Sequence, residues 1–132
     1  MSPLEGPSVL IVEDSEPMRL LLKKIFQSNV RDCTIFEATD GIEAVKKYKE
    51  YKPDLVTMRI ALPKSSGIIA LNAIMEINPK AKVIMISDKP QKSLSEDVIR
   101  LGAIGYISKP FDRNVVTPIL IKALRDALSE KI

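Results

Sequence analysis

Six side chains scattered along this sequence have types suited to chemistry. They are an adjacent carboxylate pair, Glu13-Asp14, a hydroxyl–carboxylate pair, Ser87-Asp88, and two cations, Arg59 and Lys109. Neighbouring carboxylates suit a divalent cation. A lysine and a serine hydroxyl suit the oxygens of a bound anion, and an arginine suits bidentate pairing with a carboxylate. Taken alone, Glu13-Asp14 would be no more than a solvated strand end. The chain has no histidine, which excludes a Ser-His-Asp triad, a Cys-His pair, phosphohistidine and a His-ligated metal. Its single cysteine, Cys33, can form neither an internal disulfide nor a CxxC site. It is expected in the core of a protein from a reducing compartment.

These residues need elements to bring them together. The chain has 132 residues, 45% hydrophobic and 28% charged, with a mean hydropathy of +0.05, which suits one soluble globular domain. A net charge of +3 permits an acidic partner without naming one. Aromatic residues, at 5%, are too few for stacking single-stranded bases, so no nucleic-acid site is expected. The run Val9 to Val12 ends at Glu13 and is too short for a signal peptide or a membrane span. A cytoplasmic location is expected.

Short apolar runs at Ser8–Val12, Cys33–Phe36, Asp54–Met58, Lys82–Ile86 and Ala103–Ile107 read as strands. Helical spacing follows each. Met18, Leu21, Leu22 and Ile25 lie behind a Ser15 cap, and Ala44, Val45 and Tyr48 lie behind an acidic capping box at Asp40–Glu43. Ile68–Ile77 opens at Ser65-Ser66-Gly67. Ser93–Glu96 reads as a capping box for Leu94, Val98 and Leu101, ended by Gly102. In Val115–Leu128, the pair Thr117-Pro118 either starts the helix or sits in its first turns. Residues 1–7 read as a flexible leader, and residues 8–130 as one doubly wound α/β domain. In such sheets the ligand crevice lies beyond the carboxyl ends of the strands. Glu13, Asp14, Arg59, Ser87, Asp88 and Lys109 all fall there, so they are expected to converge.

At this point a resemblance enters. Val9-Leu10-Ile11-Val12-Glu13-Asp14-Ser15, Pro53–Met58 with Pro63 and Gly67, Val83–Ser87, and Gly102–Phe111 with its Ser108-Lys109-Pro110 are together similar to the receiver domain of bacterial response regulators. The resemblance covers about residues 8–130. Singly the motifs are weak; their order and spacing are specific. It implies a CheY-like, flavodoxin-like (βα)5 fold with strand order 2-1-3-4-5. It also implies a site where an aspartate ending the third strand takes a phosphoryl group from a histidine kinase. The acidic pair would help hold Mg²⁺, and Ser87 and Lys109 would contact phosphoryl oxygens. Tyr106 would be the switch aromatic coupling the site to the surface of the fourth helix, fifth strand and fifth helix. The Lys109-Pro110 bond would be cis.

The position matching the phospho-accepting aspartate is Arg59. A guanidinium stays protonated and offers no lone pair for attack on phosphorus. Asp88 stands where the family usually has a small residue, and Leu62 replaces a commoner Met with little consequence. Glu13 and Asp14 balance Arg59 and Lys109, and Asp88 leaves the cluster one negative charge. Arg59 is therefore expected to occupy the space of the metal and to pair with Glu13 or Asp14, leaving Mg²⁺ binding weak or absent and no cofactor. An anion site shared with Lys109 and Ser87, or an engineered substitution, are the competing accounts of Arg59.

The expected function is a phosphorylation-independent receiver-like module that is not an enzyme. It would act on a protein partner (a histidine kinase, a downstream effector or a second copy) through the fourth helix–fifth strand–fifth helix face. Alternatives are a working phospho-acceptor that uses Asp14 or Asp88, and the receiver segment of a longer regulator. An FMN-binding flavodoxin is disfavoured, because the loop after the first strand lacks a Ser/Thr/Gly-rich phosphate cradle. The lysines at 46, 47, 49 and 52 read as a solvated helix face, with a docking site for an acidic partner as the lesser alternative.

Overall fold

A computed structural model describes residues 6–131. Strands and helices alternate: β1 (Ser8–Val12), α1 (Glu16–Asn29), β2 (Thr34–Ala38), α2 (Gly41–Tyr51), β3 (Leu55–Arg59), α3 (Gly67–Ile77), β4 (Val83–Ser87), α4 (Lys92–Arg100), β5 (Gly105–Ser108) and α5 (Arg113–Ser129). The strands form one parallel sheet in the order β2-β1-β3-β4-β5. The doubly wound arrangement is the one expected from the apolar runs, and its flavodoxin-like strand order is the one the resemblance implies.

Because strand side chains alternate between faces, each strand feeds two cores. Leu10, Val12, Val56, Met58, Val83 and Met85 pack beneath α2, α3 and α4, with Ala44, Leu71, Ile74 and Val98 facing them. Val9, Ile11, Leu55, Ile84 and Ile86 pack beneath α1 and α5, against Leu22, Phe26, Leu120 and Leu124. Burial on both faces explains why the strands read as continuous apolar runs rather than alternating ones. Cys33 packs at the edge of the second core, half-buried.

Four strands lie one or two residues further along the chain than the apolar runs suggest. Parallel pairing rather than hydrophobicity sets these limits: Arg59 pairs with Ile86 and Ser87 with Ser108. Arg59 is thus the last residue of β3, not the first of a loop. Ser15 caps α1 through the Met18 amide. Asp40 caps α2 through the Glu43 amide at 2.8 Å, and Glu43 reaches back to the Thr39 amide at 2.7 Å.

The capping box at Ser93 is a correction. The Ser95 amide already bonds to the Gln91 carbonyl at 3.0 Å, so the first turn closes two residues earlier. Gln91 is the N-cap, without a side-chain bond, and Ser93 lies inside α4. Gly102 does end that helix, with φ +116, a value that favours glycine. In α5, Asp112 is the N-cap and Pro118 sits inside the helix. Of the leader, residues 1–5 lie outside the described residues; the Pro7 carbonyl accepts from the Thr34 amide at 2.9 Å. No helix among the described residues is long and apolar enough to cross a membrane.

Candidate functional site

The carboxyl ends of β1, β3 and β4 and the loop after β5 deliver the six residues to one edge of the sheet. Glu13 is held there first. Its backbone amide donates to the Ala38 carbonyl at 3.0 Å, and its carboxylate accepts from the Ser15 amide at 3.0 Å. Arg19 Nη1 donates to its carbonyl at 2.8 Å. The residue is fully buried, and burial raises its pKa above the ordinary 4.5 while the Ser15 amide and Arg59 pull the other way.

Arg59 lies across the centre with its side chain only 17% exposed. Its Nη1 stands 3.3 Å from Glu13 Oε2, its Nε 3.5 Å from Asp14 Oδ1, and its Nη2 is bonded to Asp88 Oδ2. The same Nε donates to the Ala61 carbonyl at 3.0 Å. One planar fork thus engages three carboxylates and a backbone oxygen, which a lysine ammonium has no matching geometry to do. The sequence reading paired Arg59 with Glu13 or Asp14; here it meets both, and Asp88 as well. Lys109 Nζ reaches Asp88 Oδ1 at 3.5 Å. Three carboxylates therefore face two cations. The Lys109-Pro110 bond is cis.

Ser87 and Tyr106 are brought close but not into this ion cluster. The Ser87 hydroxyl donates to the Lys89 carbonyl at 3.1 Å and accepts from the Lys89 amide at 3.2 Å. The Tyr106 hydroxyl donates to the same Lys89 carbonyl at 2.7 Å, and its half-buried ring packs on the α2–α4 core. The β4–α4 loop is therefore held on both sides: Asp88 by two cations, Lys89 by two hydroxyls. Sequence reasoning placed the Ala61 carbonyl at the site but missed that of Lys89, because a backbone acceptor leaves no signal in residue type. At Gly67, which the sequence motif includes, a Cβ would stand 2.1 Å from the Arg59 carbonyl. Among the described residues, no group of three or more Cys, Asp or Glu is placed to hold a metal ion.

A five-stranded parallel sheet wound 2-1-3-4-5, with an acidic pair after β1 and a Lys-cis-Pro after β5, is the flavodoxin-like class of fold with its crevice residues in place. The chain belongs to the response regulator receiver domain family, which matches residues 9–121. It is 44% identical to the chemotaxis protein CheY of Thermotoga maritima over 117 residues, 89% of this chain and 97% of that protein. The crystal structure of the response regulator domain of Thermotoga maritima CheB superposes with a TM-score of 0.82 at 37% identity, covering 94% of this chain and 97% of that one. That of CheY in a CheX-CheY-BeF3-Mg complex from Borrelia burgdorferi superposes with a TM-score of 0.81 at 40% identity, covering 88% and 87%. The chain is thus a two-component receiver domain, a signalling module by family.

Proposed function

We propose that this receiver works without phosphorylation, as an atypical pseudo-receiver module that signals by protein contact. The single observation that carries the reading is the Arg59 fork, which fills the space among Glu13, Asp14 and the Ala61 carbonyl. A guanidinium does not attack phosphorus, and its fixed charge beside Glu13, Asp14 and Asp88 repels a divalent cation. Mg²⁺ demands near-ideal octahedral oxygen ligation. Here the oxygens it would need already accept from a fixed positive group, so the residues present do not suit the ion. Mg²⁺ binding is weak or absent, and position 59 carries no phosphoryl group.

The output then rests on shape. The Arg59–Asp88–Lys109 pairs and the Lys89 carbonyl hold the β4–α4 loop and Tyr106 in one arrangement. The adjoining face of α4, β5 and α5 exposes Ile99, Leu101, Ile104, Val115 and Ile119, which suits docking by a kinase, an effector or a second copy. The Borrelia relative is seen assembled with CheX, so a protein partner fits the family. The setting is cytoplasmic.

The test is incubation with a small phosphodonor and Mg²⁺, followed by intact-mass measurement. No phosphoryl adduct is expected. An adduct that disappears on Asp14→Ala or Asp88→Ala would establish the other reading, a working acceptor at one of those carboxylates.

A further inference from the structure

The side of the domain formed by α2 and α3 carries an apolar groove of about 700 Å³. It shares no residue with the α4–β5–α5 face and does not depend on the Arg59 cluster. Ile42 and Ile69 line it while remaining 63% and 61% exposed, so together with Val45 and Ala73 they make one contiguous apolar patch. Between them the floor falls to Val45 and Ala73, which are half-buried. On the rim stand Lys46 and Lys49. Neither enters an ion pair among the described residues, whereas neighbouring Lys47 and Lys64 are paired with Glu43 and Asp40 at 3.7 Å each.

We propose that this groove is a second docking surface and that its occupant is an acidic amphipathic helix of a partner protein. Both walls are helices of 11 residues, roughly 16 Å long at 1.5 Å per residue, enough for about three turns of a bound helix. Ile42, Val45, Lys46 and Lys49 stand at i, i+3, i+4 and i+7 on α2, so the apolar and the cationic side chains share one face of that helix toward the groove. Leucine-type side chains would reach Val45 and Ala73 between the two isoleucines, and glutamates or aspartates would pair with the free ammonium groups of Lys46 and Lys49. A second copy fits poorly. Face-to-face pairing would oppose the two lysines of each copy with only Glu50 from each to offset them. A flat bilayer fits no better, because it cannot fill a concave floor.

The test is titration of the ¹⁵N-labelled protein with a synthetic amphipathic helix of about four turns, leucines on one face and glutamates beside them, and with its lysine-substituted counterpart. Amide shifts at Ile42–Glu50 and Ile69–Ala73 are expected with the acidic peptide only. Affinity should fall on the order of tenfold in Ile69→Ser and at least as far in Lys46→Glu/Lys49→Glu. All these side chains are exposed, so melting temperature should hold; if Ile69→Ser loses its fold, the lysine variant decides. The proposal is overturned by shifts centred on Leu101–Ile104, or by equal response to the lysine peptide. It is equally overturned if sedimentation finds a dimer that Ile69→Ser dissolves, or if the protein floats with phosphatidylglycerol vesicles through this face.

Discussion

Replacing Arg59 with methionine keeps an apolar stem and removes the charged guanidinium, which tests what that group does for the buried Glu13 carboxylate. Taking one partner from a buried ion pair costs roughly 3–5 kcal/mol, because the other charge stays desolvated. Glu13 has no exposed surface but keeps its bond from the Ser15 amide, so the loss should lie near the lower end, about 3 kcal/mol at pH 7.5. With a urea slope of about 1.5 kcal/mol/M this moves the midpoint down by about 2 M. The pH dependence gives the sharper check. Burial already sets the folded-state pKa of Glu13 above the ordinary 4.5. Its contribution to stability is therefore fullest below 4.5 and fades as pH rises through the raised value. Arg59 holds that value down by charge and by hydrogen bonding. Without it the value climbs further, so the added penalty is larger at pH 7.5 and shrinks as pH falls below the ordinary 4.5. Urea unfolding of parent and Arg59→Met at pH 7.5 and near pH 4 measures both limits. An equal loss at the two pH values, or none at pH 7.5, would mean that Arg59 does not balance Glu13, and the site reading would be wrong.

Three further outcomes follow from the same coordinates. Arg59→Asp leaves four carboxylates facing Lys109, so Mg²⁺ should stabilise the variant by about 1.4 kcal/mol at ten times its Kd and leave the parent's melting temperature unchanged; an equal Mg²⁺ effect on the parent would refute the exclusion of the ion. Gly67→Ala places a methyl 2.1 Å from the Arg59 carbonyl and should cost about 3 kcal/mol by overpacking; a chemical-denaturation midpoint within error of the parent would show that the β3–α3 loop gives way. The Cys33 thiol is pushed up to about 11, chiefly by burial and further by Asp54. Its alkylation by iodoacetamide near pH 8 should therefore run roughly a hundredfold slower than that of an ordinary thiol and recover in urea, and a fast native reaction would contradict its burial.

Much of the fold was legible in residue order, for a reason visible in the cores. A strand covered on both sides must be apolar at every position, so Val9–Val12 and Val83–Ile86 announce themselves without a structure. Caps at Ser15 and Asp40 were legible too, since a cap is a bond across three residues. The start of α4 was not. Ser93–Glu96 has the right letters, yet the turn closes on Gln91, because local propensity competes there with the path the chain must take out of β4.

The site divides along the same line. That position 59 offers a permanent cation and no nucleophile follows from residue type alone, and so does the surplus of one negative charge in the cluster. What that cation touches is a different matter. Glu13, Asp14 and Asp88 lie far from it in sequence, and only the 2-1-3-4-5 winding, which sets β3 between β1 and β4, brings their carboxylates within reach of one guanidinium. The Lys89 carbonyl and the groove between Ile42 and Ile69 belong to the same category. Backbone oxygens and the gaps between helices acquire meaning only from packing, because their identity as acceptors or floors depends on what the rest of the chain places opposite them.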